Sequence, residues 1–382
     1  MINLKALNIN SVVSRIGDFR TMNVEKKSIA ELNLCYAIGQ IKSGNQRSFV
    51  VATEKEGECQ RFDLDGNYLE TIWTQPGGVM TMLQVPNSNG AFLSTHKFYS
   101  PNNSKEARLI LATPIDSKGE PVKTLEEEHT WKITELCEMP FLHRFDILSR
   151  NGKSYIIACA LKSDHEYKDD WTHPGKIFVT ELPENLGEYD LNQGNPLPFK
   201  VIKEGLTKNH GYAKHIYHDV ETSLIGSENG VFRITPPADE QDDWQVEKLI
   251  DMPTSDVRAI DIDDDGAIEY MTYAPFHGEN LYVFKEKDGK LEQIYHHPEA
   301  MPFLHSLWAG KLNGESTFIV GNRQGERDLY ALRFDKEKKE FYFIQIDHDC
   351  GPTNVDVYHH DGHDYIIATN REINEVALYK IG

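Results

Sequence analysis

The chain has no long apolar run. None of its hydrophobic stretches approaches the roughly 20 residues that cross a bilayer, so no spanning helix is expected. Its first residues, MINLKALNINSVVSRI, lack a basic start followed by an unbroken apolar segment, and no secretory leader is read there. Cysteine is scarce. Cys35, Cys59, Cys137, Cys159 and Cys350 are odd in number and contain no CxxC pair. That pattern argues against a zinc ribbon or a dithiol redox motif. It points instead to buried free thiols in a reducing compartment, and a cytoplasmic location is expected. Positive charge is also in deficit: 40 Lys and Arg face 60 Asp and Glu, a formal net charge of −20. Such a balance argues against nucleic acid or an anionic membrane as partner. A locally basic pocket for an anionic ligand remains compatible with it. The chain also lacks a Ser-His-Asp motif, a phosphate loop, WD40-type Trp-Asp endings and kelch diglycines.

What is present is a repeat. Residues 255–285, SDVRAIDIDDDGAIEYMTYAPFHGENLYVFK, read as three short strands over 257–262, 269–273 and 281–284. An Asp-Gly turn and a Gly-Glu-Asn loop separate them. Six further segments follow the same plan: 34–62, 79–112, 141–182, 212–234, 303–334 and 355–381. Aligned starts fall near residues 36, 80, 142, 213, 257, 304 and 355. The shorter intervals (36 to 80, 213 to 257, 257 to 304, 304 to 355) suit a four-stranded propeller blade of roughly 40–50 residues. The longer intervals hold insertions near 165–174 and 184–197.

The expected fold is therefore all-β: a single seven-bladed β-propeller over residues 1–382, made of four-stranded antiparallel blades. Blades start near 34, 77, 139, 210, 255, 302 and 352. The last repeat supplies only three strands. The closing segment 1–31, specifically residues 8–24, is expected to add the fourth strand, shut the ring and cover a sheet edge.

In a propeller, the start of each blade's first strand and the loop between its second and third strands share one rim, a point of fold geometry. The first-strand starts carry His143, His210, Lys214, Arg258 and His305. The middle loops carry Glu54, His96, Lys97, Tyr99, His165, Glu228, His277, Arg323, Asn370 and Arg371. The opposite rim carries mostly turn residues. Histidines and bases thus collect at one channel mouth of an acidic protein.

Elimination beside a carbonyl needs a base, a cation for the enolate and a proton donor. His143, His210 and His305 suit a divalent metal (Zn, Mn or Mg) or a base, or are hydrogen-bonded packing groups. Lys214 and Arg258 suit oxyanion neutralisation, or are solvated rim charges. Tyr99 and Glu228 suit proton donation. His96, His165, Trp171, His277, Arg323 and Arg371 are expected to line the substrate. A separate motif, Asp261, Asp263, Asp265 and Glu269 around Gly266, has the alternate-oxygen spacing of a calcium loop. A plain Asp-Gly hairpin is the alternative.

Three stretches, AIDIDDDGAIEYMTYAP, LWAGKLNGESTFIVGNRQGERDLYALRF and VDVYHHDGHDYIIATNREINEVALYKI, resemble FG-GAP/VCBS-type propeller repeats. In those repeats a strand leads into an Asp-rich, Gly-containing turn and then an apolar strand. The order of the last two, with Gly321-Asn322-Arg323 and then Ala368 to Arg371, resembles the propeller domain of aldos-2-ulose dehydratase-type proteins. That resemblance implies a metal-dependent lyase (dehydratase) or isomerase acting on a keto or anhydro sugar in the central pocket. The Asp-rich turn is intact only in blade five. The competing reading is a non-catalytic propeller that binds a sugar or a protein partner, with Tyr167, Trp171 and Phe276 as contact surfaces.

Overall fold

The computed structural model describes residues 21–287 and 289–382. They form seven four-stranded antiparallel sheets arranged as a propeller. Blade one runs outward from the channel as Cys35–Ser43, Gln46–Thr53, Cys59–Asp63 and Tyr68–Trp73. Blades two to six repeat that order from inner strands Met82–Gln84, Leu142–Arg150, Gly211–Tyr217, Asp256–Ile260 and Leu304–Leu312. Blade seven is composite. Asn354–His360, His363–Asn370 and Glu375–Ile381 are joined by the N-terminal strand Val24–Glu31. That strand pairs antiparallel with Glu375–Ile381, from Val24 opposite Ile381 to Glu31 opposite Glu375. The ring is therefore closed by the N-terminal strand.

The closing strand begins where the expected one ended; residues 8–20 lie outside the described residues. VEKKSIAE carries little apolar periodicity, because an outermost strand is held through its backbone and stays largely exposed. The Lys26 ammonium adds ion pairs to Asp347 and Glu375, each at 2.7 Å.

Burial follows position in the blade. The second strand of blade five, Glu269–Ala274, is buried throughout, whereas its fourth, Lys290–His296, is mostly exposed. Second strands are packed on both faces by neighbouring blades, so they run apolar rather than alternating. The core lies between blades. Phe49 packs at 5.6 Å on Phe62 and at 5.9 Å on Tyr358 of blade seven. All five cysteines are free and buried there. Burial pushes the Cys35, Cys137 and Cys159 thiols up to about 12, so they are inert thiols at neutral pH. No helix among the described residues is long and apolar enough to cross a membrane.

One backbone device recurs in blades one, three and six. Leu34, Phe141 and Phe303 have φ of 52°, 59° and 59°. The pairing register then shifts between Cys35 and Ala37, between Leu142 and Arg144, and between Leu304 and Ser306. Each is a bulge in which one extra residue re-aims a side chain. The extra residues are Tyr36, His143 and His305.

Candidate histidine centre at the channel mouth

The bulges of blades three and six bring His143 and His305 to the channel, and His210 reaches it from the start of blade four. The His210 N–H donates to Gly226 O at 3.1 Å. Blade four comes close to blade five here because Gly211 has no side chain: a Cβ would sit 2.4 Å from Ser255 O. That approach sets His210 Nδ1 2.9 Å from Asp256 Oδ2. His277 arrives from the loop after the second strand of blade five, with φ of 49°. It stacks on Phe276 at 3.9 Å and lies 4.5 Å from Phe303.

Four imidazoles therefore meet. His143 and His210 have ring centres 4.4 Å apart, and His277 Nε2 lies 3.3 Å from His210 Nε2. His305 is 5.5 Å from both His210 and His277. One ring nitrogen from each of His210, His277 and His305 falls within 4.8 Å of the others.

The hydrogen bonds assign the tautomers. His305 Nδ1–H donates to Thr353 O at 2.7 Å, and His143 Nδ1–H donates to His210 O at 3.3 Å. His210 Nδ1–H donates to the Asp256 carboxylate. Each Nε2 then presents a lone pair, and the Tyr36 hydroxyl donates to His305 Nε2 at 3.2 Å. Burial, with neighbouring positive charge, drives His143, His277 and His305 well below the usual histidine range. They are neutral at physiological pH. Burial also pushes the Tyr36 phenol up to about 12, so it keeps its proton.

A collar of aromatic and charged side chains surrounds this layer. Trp171 lies between the ammoniums of Lys162 and Lys208, at 4.6 and 5.5 Å, and packs edge-on to Phe276 at 5.5 Å. Glu228 accepts from Lys208 at 3.2 Å and from the Phe276 N–H at 3.4 Å. Opposite, Arg323 covers Phe303 at 4.5 Å and donates twice to Glu372, at 2.8 and 2.6 Å. Arg371 bridges Glu372 and Glu54.

Other residues expected at the mouth lie elsewhere. Lys214 is four residues down the strand from His210, about 13 Å by strand rise. It donates to Ile147 O at 2.6 Å and lies 3.5 Å from Asp146. Arg258 is on the channel wall, donating to Tyr212 O at 2.7 Å. His96 is buried 4.7 Å from Trp73, where burial lowers its pKa to about 3. It belongs to the packing between strands, because its strand continues into the loop by one more residue than the repeat suggested. Tyr99 is tied into its own loop through Asn103 O. His165 packs against Phe141 at 5.6 Å, behind the collar. Of the expected metal candidates, His210 and His305 fall in one 4.8 Å group with His277, and His143 packs on His210.

The carboxylate turn of blade five carries its own cation. Lys285 Nζ lies 2.7 Å from each of Asp263, Asp265 and Glu269. The Asp261 carboxylate accepts the N–H groups of Asp265 and Gly266. One carboxylate oxygen from each of Asp261, Asp263 and Asp265 falls within 4.8 Å of the others, and a calcium ion there would compete with that ammonium.

No family model matches the chain, and neither does any curated protein. The site is thus read from its own geometry. Tyr36, Asp256, Thr353 and Phe303 were missed in the sequence. Only Tyr36 left a signal, because Leu34-Cys35-Tyr36 aligns with Phe141-Leu142-His143 and Phe303-Leu304-His305.

Proposed function

We propose that the channel mouth is the active site of a metal-assisted, carbohydrate-active lyase (dehydratase) or isomerase acting on a keto or anhydro sugar. The observation that carries this reading is the convergence of His210, His277 and His305, with Asp256 and Thr353 O fixing two of the three rings from behind. Imidazoles held by outer hydrogen bonds are a donor set for a divalent ion, and among Zn, Mn and Mg they favour zinc. When bound, such an ion supplies a Lewis acid for a sugar carbonyl. The chain's own groups do the rest. Neutral His143, its Nδ1–H turned to a carbonyl, offers Nε2 as a base. Tyr36 holds a proton at the same layer. Trp171 and Phe276 offer ring faces to a sugar, and Glu228 an acceptor for its hydroxyls. The strand and Asp-turn plan of blade five supports kinship with FG-GAP/VCBS-type repeats.

Metal content of untagged protein, measured by mass spectrometry before and after chelation, tests this reading. About one ion per chain is expected, lost in His305→Ala while the β-sheet circular dichroism persists. Keto and anhydro sugars should then yield new enone absorbance only with the metal-loaded protein. The half-buried Trp171 and Phe276 also support a second reading, a sugar-binding propeller without catalysis. Saturable sugar binding by a protein that takes up no metal would decide for it.

A further inference from the structure

We infer that the channel wall beside the histidines carries an anion subsite, formed by Arg144 and Arg258, that takes the carboxylate of a sugar acid. The sugar part of this inference rests on the function proposed above; the anion part rests on the arginines themselves.

Seven other arginines of the described chain have a carboxylate partner: Arg61 with Glu70, Arg108 with Glu135, Arg233 with Glu247, Arg323 with Glu372, Arg327 with Asp349, Arg333 with Glu315 and Arg371 with Glu54. Arg47 and Arg150 meet neutral acceptors, His359 O with Gln40 Oε1 and Pro236 O. Arg144 and Arg258, on the inner strands beside the histidines, also have no carboxylate partner. Arg144 donates to Met80 O at 2.8 Å and reaches Asn354 Oδ1 at 3.5 Å. Arg258 donates to Tyr212 O at 2.7 Å and Val257 O at 2.9 Å. These bonds pin part of each guanidinium to the wall. The remaining donors have no protein acceptor among the described residues.

The nearby carboxylates are committed elsewhere. Asp256 serves His210 and Ser255, and Asp356 accepts from Gln40 at 2.9 Å and from the Val357 N–H. Burial lowers the pKa of Arg258; Asp256 opposes that shift and Arg144 adds to it. Asp256 and Asp356 offset part of the guanidinium charge without forming an ion pair with either arginine, so donors remain for an incoming anion. Arginine's planar fork matches a carboxylate through paired hydrogen bonds.

Placement ties the subsite to the histidines. Arg144 follows His143 in the bulge, and both oppose one stretch of the partner strand. Its guanidinium lies 5.9 Å from the Tyr36 ring, whose hydroxyl meets His305. Arg258 in turn lies two residues from Asp256, the partner of His210. The protein is acidic overall, so this attraction is local to the channel.

The test is isothermal titration of the full chain, untagged and chelator-treated, with glucuronate, glucose, acetate and inorganic phosphate as separate probes. Glucuronate is expected to bind at least tenfold tighter than glucose or acetate, and to weaken as salt rises. Arg144→Gln and Arg258→Gln should each weaken it at least tenfold. Should either variant fail to fold, Arg144→Lys and Arg258→Lys keep the charge but not the fork, and the same loss is expected. Equal binding of glucose and glucuronate, or no effect of the arginine substitutions, overturns the inference. Phosphate or acetate binding as tightly as glucuronate reduces it to a simple anion site and overturns the sugar acid. Because the protein is metal-free throughout, failure of the metal-dependent reading leaves this result intact, and the converse also holds.

Discussion

Asp256 decides how His210 behaves. Burial raises its pKa, but His210, Arg144 and Arg258 outweigh that and hold the carboxylate well below the usual range. It is therefore an anion at every physiological pH and keeps the His210 proton on Nδ1. Asp256→Asn preserves shape and removes charge, so either ring orientation becomes admissible. Zinc affinity, read by competition with a chromophoric chelator, is expected to fall roughly 10–100-fold. Thermal stability should change little by comparison. An unchanged zinc affinity would remove Asp256 from the site.

At the scale of a single element, the blade-five hairpin gathers a carboxylate-rich turn around one lysine. Lys285 neutralises Asp263, Asp265 and the fully buried Glu269 together. Burial opposes its charge, yet the three carboxylates raise its pKa above the ordinary lysine value. Lys285→Ala leaves a buried carboxylate without its cation, and a loss of about 3 kcal/mol is expected in urea unfolding. Millimolar calcium should recover part of that loss in the variant and leave the parent protein's midpoint unchanged. A rise in the parent's midpoint would mean that calcium outcompetes the lysine. The bulges act at the same scale. A local register shift turns a residue that would have faced a neighbouring blade toward the channel, and three blades use it.

For the whole molecule, closure and burial set the stability. A chain begun at Leu32 loses the eight-residue strand Val24–Glu31 and its Lys26 ion pairs, and exposes Glu375–Ile381 as an open edge. Its melting temperature should drop by roughly 5–10 °C, and light scattering should reveal association through the bare edge. Stability should also depend on pH in a defined direction. Burial lowers His96 to about 3 and His215 to about 4, and it drives His143, His277 and His305 well down. Below about pH 6.5 the unfolded chain binds protons at these positions and the folded chain does not. Each group then costs about 1.4 kcal/mol per pH unit until its folded pKa is reached. The melting temperature is expected to be level from pH 8 to 7 and to fall steadily toward pH 5. His96→Phe should make that slope shallower. A level profile down to pH 5 would contradict the burial of these rings as neutral groups.

Seven blades, their starts and a ring shut by the N-terminal strand were legible because the repeat is local. Strand pattern, turn residues and spacing all lie within some 50 residues of chain. The exact closing strand was less legible, since an exposed outer strand needs no apolar pattern. The histidine centre was legible only as a rim. Its partners lie far apart in sequence: Tyr36 meets His305 across 269 residues, and His210 meets Asp256 across 46. Three further outcomes belong to the tertiary structure alone. His277 groups with His210 and His305; Lys285 reaches three carboxylates of its turn; Arg144 and Arg258 meet backbone carbonyls rather than a carboxylate. Each depends on where a neighbouring blade's backbone passes, through a bulge, a glycine contact or a side chain reaching across strands. Periodicity specifies which residues can face the channel, and the packing of blade against blade selects which of them meet.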